Sequence, residues 1–100
     1  MQPEQKHLIH LSLNWEKALK SGLVGSAAEI GQHCGLTAGR VRQIVRLSGM
    51  ASEIVGFLAG LEGEKALRGY SEARIRFIVA LPRVNQVRAF EEKFGVNLSG

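Results

Sequence analysis

Apolar residues recur at three- and four-residue intervals along most of this chain, with breaks at glycines and at Pro82. That period predicts helices. The clearest segment is Ser26 to Leu47, SAAEIGQHCGLTAGRVRQIVRL. Ser26 and Glu29 have capping-box spacing: the hydroxyl accepts an early backbone N–H and the carboxylate reaches back to the cap. Ala27, Ile30 and Cys34 share one face, and Gly31 lies on the inner side, where only a small residue lets a second helix come close. Gly35 stops the helix, in the left-handed conformation that glycine tolerates best. Leu36 is expected to plug the gap between the helices. Thr37 caps a second helix, with Val41, Ile44, Val45 and Ser48 inward and Gly39, Arg42, Gln43 and Arg46 outward. Residues 26–48 therefore read as a helix-turn-helix.

Elsewhere the pattern is less regular. His7 to Leu13, HLIHLSL, alternates at Leu11 and Leu13 and reads as a short strand or an extended arm. Asn14 then caps a helix from Trp15 to about Ser21, with Trp15, Ala18 and Leu19 on its apolar face. Trp15 reads as a core anchor rather than a base-stacking platform, because it shares that stripe. A helix over about Ala51–Gly60 turns Ile54, Val55 and Leu58 inward, with Phe57 at its flank. Leu61–Gly69 is a polar connection, helical in part. Ser71 and Glu72 open a helix that Pro82 ends, and Pro82 in turn opens the last helix. Its apolar positions Val84, Val87, Phe90 and Phe94 serve either as a dimer seam or to close the core. The expected architecture is an all-α, helix-turn-helix multi-helix bundle. It divides into an N-terminal arm over 1–13, a helical domain over 14–95 and a tail over 96–100.

Charge adds a partner to this picture. The net charge is +4 over 100 residues and the isoelectric point is about 9.7, which favours a polyanion. Its distribution is more telling. No acidic residue lies between Glu29 and Glu53, an interval that holds Arg40, Arg42 and Arg46. Between 65 and 90, Lys65, Arg68, Arg74, Arg76, Arg83 and Arg88 face the single acid Glu72. Arg74 and Arg76 either contact flanking phosphates or only keep the surface soluble.

Catalytic patterns are missing. There is no Asp for a Ser-His-Asp arrangement. His7 and His10, and His33 beside Cys34, do not have zinc-site spacing. Cys34 reads as a small core residue and His33 as a solvated one. Glu91 and Glu92, adjacent on a helix, point different ways. No glycine-rich nucleotide motif occurs. No cofactor, metal or enzymatic activity is expected. The single cysteine fits a reducing, cytoplasmic compartment. The polar N-terminus MQPEQKH does not read as a signal peptide, and no apolar run is long enough to span a membrane.

The segment SAAEIGQHCGLTAGRVRQIVRLSGMASEIVGFLAG, followed after a connection by YSEARIRFIVALP, resembles the helix-turn-helix domains of the ParB/KorB type. It is also similar to small helix-turn-helix modules found near phage-type recombinases. Met50 and Ala51 stand where that family has a Leu-Pro step. The family's nucleotide-binding module has no counterpart, so the resemblance implies no CTP-dependent clamp. What it implies is binding of double-stranded DNA by the second helix, through Thr37, Ala38, Gly39, Arg42, Gln43 and Arg46.

Residue chemistry assigns the roles. Thr37 and the amides beginning the second helix suit a phosphate. Arg42 suits a guanine edge and Gln43 an adenine edge, while Arg46 reads a base or holds a phosphate. Arg40 lies to the side and is expected on the phosphate backbone. Ala38 and Gly39 leave room for close approach, and Ala38 can touch a thymine methyl. The expected role is transcriptional regulation or maintenance of plasmid or phage DNA, by a homodimer on a palindrome. The competing reading is a protein-interaction module whose apolar last helix is its working surface.

Overall fold

The computed structural model describes residues 7–98, and among them there are helices and turns but no strand. The elements are α1 Leu8–Ser21, α2 Ala27–Cys34, α3 Ala38–Val45, a 3-10 turn Arg46–Gly49, α4 Ser52–Ala59, α5 Glu64–Gly69, α6 Glu72–Val79 and α7 Arg83–Phe94. The all-α bundle with its helix-turn-helix is therefore present. Residues 1–6 of the N-terminal arm and the end of the tail lie outside the described residues.

The strand or extended arm read over His7–Leu13 is not present. Residues 8–13 are the first two turns of α1, and Asn14 lies inside that helix instead of capping it. His7 is the cap: its Nδ1 accepts the Ile9 N–H at 2.9 Å. Its Nε2 then donates to the Tyr70 carbonyl at 2.6 Å. His10 Nε2 lies 2.8 Å from the Ala59 carbonyl. These two rings fasten the start of α1 to the ends of α4 and α5. The alternation of Leu11 and Leu13 was misleading, since both are exposed, and Ile9 and Ser12, three apart, are buried instead. Trp15, Ala18 and Leu19 are half-buried.

One core joins the later helices to α1. Ile9, Leu47, Met50, Ile54, Leu58, Ile75, Ile78 and Phe90 form a single buried cluster. Each such aliphatic side chain, fully buried, is worth about 1.5–3 kcal/mol. Phe57, Tyr70, Phe90 and Phe94 extend it as packed rings, with Phe90 and Phe94 centroids 4.7 Å apart. Of the two uses open to the last helix, its stripe closes the core. Phe90 is fully buried, Val87 and Phe94 pack against the cluster, and only Val84 stands out, 89% exposed.

A buried amide pins α4, α6 and α7 together. Gln86 Oε1 accepts the Ala51 N–H at 2.8 Å, and Nε2 donates to the Ile78 and Leu81 carbonyls, both at 3.1 Å. The Ala51 N–H exists because this chain has no proline there. Left buried and unpaired it would cost about 1–3 kcal/mol, and Gln86 satisfies it. The start of α4 is thereby fixed without the Leu-Pro step.

Candidate nucleic-acid interface

The helix-turn-helix is built largely from backbone constraints. Ser26 Oγ accepts the Glu29 N–H at 3.2 Å. The return contact of Glu29 falls one residue early, on the Gly25 N–H at 2.5 Å. Gly35 ends α2 at φ 72°, and the Leu36 N–H closes the turn on the Gly31 carbonyl at 2.9 Å. A Cβ on Gly31 would run into the Leu36 carbonyl, so glycine is required at this crossing. Two expectations fail here. Leu36 remains 39% exposed, so it is not a buried plug. Cys34 is exposed, because the chain reverses at Gly35 and lays the Leu36–Thr37 backbone against Gly31, leaving Cys34 uncovered.

Thr37 Oγ1 accepts the Arg40 N–H at 3.1 Å and starts α3. Val41 and Ile44 face inward and are buried. Gly39, Arg42, Gln43 and Arg46 are all exposed, on the outer side, as their spacing requires. The α-helix is shorter than the apolar pattern implies: it ends at Val45, and Arg46 opens the 3-10 turn. Ser12, buried on α1, holds that junction. Its hydroxyl donates to the Val45 carbonyl and accepts the Ser48 N–H, each at 3.0 Å. The backbone groups released by the change of helix type are thus satisfied. Ser48 also donates to the Glu16 carboxylate, and Glu16 in turn meets Lys20 at 2.8 Å. The carboxyl of Glu16 is held below its ordinary value by its hydrogen bonds to Lys20 and Ser48.

Arg40 has a partner that the sequence reading does not assign. It was expected on a phosphate backbone. Its Nη1 and Nη2 instead donate to Oε2 and Oε1 of Glu72 on α6, both at 2.6 Å. Such a two-point fork is the strong geometry for an arginine and a carboxylate. Those hydrogen bonds hold the Glu72 carboxyl below its ordinary value and raise the guanidinium of Arg40. Nη1 also lies 3.4 Å from Gln43 Oε1. Sequence reasoning missed Glu72, although it is the one acid among the arginines of residues 65–90.

Arg42 and Arg46, by contrast, have no acidic partner among the described residues. The outer side of α3 therefore presents two unneutralised guanidinium groups, one amide, and the small residues Ala38 and Gly39 at its start. Among the described residues no group of three His, Cys, Asp or Glu side chains could hold a metal ion, and no helix is long and apolar enough to cross a membrane.

Comparison of the chain with protein-family models, with curated proteins and with solved structures finds no match.

Proposed function

We propose that this chain binds double-stranded DNA in a sequence-specific manner, with α3 in the major groove. The observation that carries the reading is the outer face of α3 and its C-terminal end: Arg42, Gln43 and Arg46 are exposed, and neither arginine has an acidic partner among the described residues. An exposed guanidinium with no internal partner gains most from a polyanion. The resemblance to ParB/KorB-type domains points the same way. The corresponding roles are regulation of transcription or maintenance of plasmid or phage DNA, without catalysis.

The parts divide the work between positioning and reading. The Thr37 hydroxyl already accepts the Arg40 N–H, so its proton remains to donate to a phosphate. The first amides of α3 add their partial positive charge there. Arg42 makes a two-point contact to guanine O6 and N7, and Gln43 reads the neighbouring base. Arg40, engaged by Glu72, sets the angle of α3 on α6 and leaves DNA to the other arginines. Pairing of two copies on a palindrome sets their recognition helices about 34 Å apart, through a surface other than the stripe of α7.

Replacing Arg42 by alanine should cost about 1–3 kcal/mol of binding and relax preference at one base pair. A base-by-base substitution scan of a selected site, run with both proteins, checks this. Uniform loss across all sites would make Arg42 a phosphate contact. The competing reading, a protein-recruitment module, needs a working surface, and of the apolar stripe it relied on only Val84 stands outside the core packing.

A further inference from the structure

The charged face does not stop at α3. Glu72, Arg76 and Val79 of α6, with Ala80 just after it, line an open cleft of about 230 Å³ together with Gln43, Arg46 and the buried Leu47. Arg74, two residues before Arg76 on the same helix, does not line it. The sequence treated Arg74 and Arg76 alike, and the structure separates them.

The chemistry of the cleft is lopsided. Its single carboxylate, Glu72, already receives both of its hydrogen bonds from Arg40 at 2.6 Å. Arg76 reaches the same carboxylate only at 3.7 Å, with its side chain 70% exposed. A contact this long, made by an exposed arginine, contributes little and is readily exchanged for a better anion. Arg46, on the other wall, is exposed and has no acidic partner among the described residues. Two guanidinium groups thus border one open space, and the carboxylate that shares it is already held by Arg40.

We propose that Arg46 and Arg76 grip one phosphodiester of the DNA backbone in this cleft, making α6 a second DNA-contacting element. The proposal rests on the DNA-binding reading above and adds a contact which that reading does not need. Arg76 gives up its loose contact with Glu72 and takes a phosphate oxygen. Glu72 keeps Arg40, so α3 and α6 stay in register while the clamp closes. Glu72 also excludes a second phosphate from the Arg40 side, which fixes where the backbone crosses.

The test is the salt dependence of binding to two labelled duplexes of unrelated sequence, for the wild-type chain and the variants Arg76→Gln, Arg76→Lys, Arg74→Gln and Arg42→Ala. Thermal melts confirm that each variant folds. Arg76→Gln should weaken binding to both duplexes by the same factor. It should lower the slope of log affinity against log salt by about 0.9, the value of one phosphate contact. Arg76→Lys should restore the slope, and Arg74→Gln should leave affinity and slope unchanged. A wild-type slope in Arg76→Gln, beside weakened binding in Arg42→Ala, would overturn the clamp and leave the α3 reading standing. Equal losses from Arg74→Gln and Arg76→Gln would also overturn it, since diffuse charge would then explain both. A wild-type chain that binds neither duplex at low salt would overturn the DNA reading and the clamp together.

Discussion

At the scale of single residues, His7 shows how one ring can carry a whole helix start. Nδ1 must accept the Ile9 N–H and Nε2 must donate to Tyr70, so only one neutral tautomer serves. Burial is the main reason its basicity falls below the ordinary value of 6.5, with nearby His10 pushing the same way and the Tyr70 hydrogen bond opposing both. The unfolded chain therefore binds a proton at a higher pH than the folded one. Stability from this group is complete above the ordinary value and is lost as pH falls from there through the lower folded value. Urea denaturation between neutral and mildly acidic pH should show that loss. His7→Asn keeps a capping side chain and should flatten the dependence; an unchanged slope would assign it to another group. None of this was legible in HLIHLSL. Histidine is not among the favoured helix caps, and the serine in the buried stripe, Ser12, disguised a three-residue period as an alternation of two.

Among the elements, the α2–α3 hairpin was legible because its constraints are local. Ser26, Gly31, Gly35 and Thr37 act within a few residues of themselves, and each keeps the position its spacing assigned. Gly31 provides the sharpest check. Alanine there should destabilise the fold by about 1–3 kcal/mol, as a Cβ meets backbone that cannot yield. Gly56, inside α4, has open space beside it, so Gly56→Ala should stabilise by up to about 1 kcal/mol through helix propensity. Thermal melts of the two variants should move in opposite directions; a Gly31→Ala chain as stable as wild type would mean the hairpin is looser than described. What the sequence did not reveal at this scale is long-range. The Arg40–Glu72 fork spans two helices 32 residues apart, and Gln86 reaches Ala51 across 35. Periodicity places residues on faces but says nothing of which faces meet. The same limit hid Cys34, which is exposed although Ile30 on its face is buried, and the fate of the α7 stripe.

For the whole molecule, the arrangement separates holding from reading. The core of α1, α4, α6 and α7 takes in Leu47 of the 3-10 turn that follows α3. Ser12 holds the end of α3, and Glu72 fixes its side through Arg40. What remains outward on α3 is the pair of unneutralised arginines with Gln43. The central claim is that this face binds duplex DNA. It is tested most directly by fluorescence-anisotropy titration of labelled random duplexes, at low and physiological salt, with the wild-type chain beside the Arg42→Ala/Arg46→Ala double variant. The account predicts binding that weakens steeply with salt, because counterions are released from the phosphates, and that the double variant loses. Binding unchanged in the double variant, or none by the wild-type chain even at low salt, would contradict it.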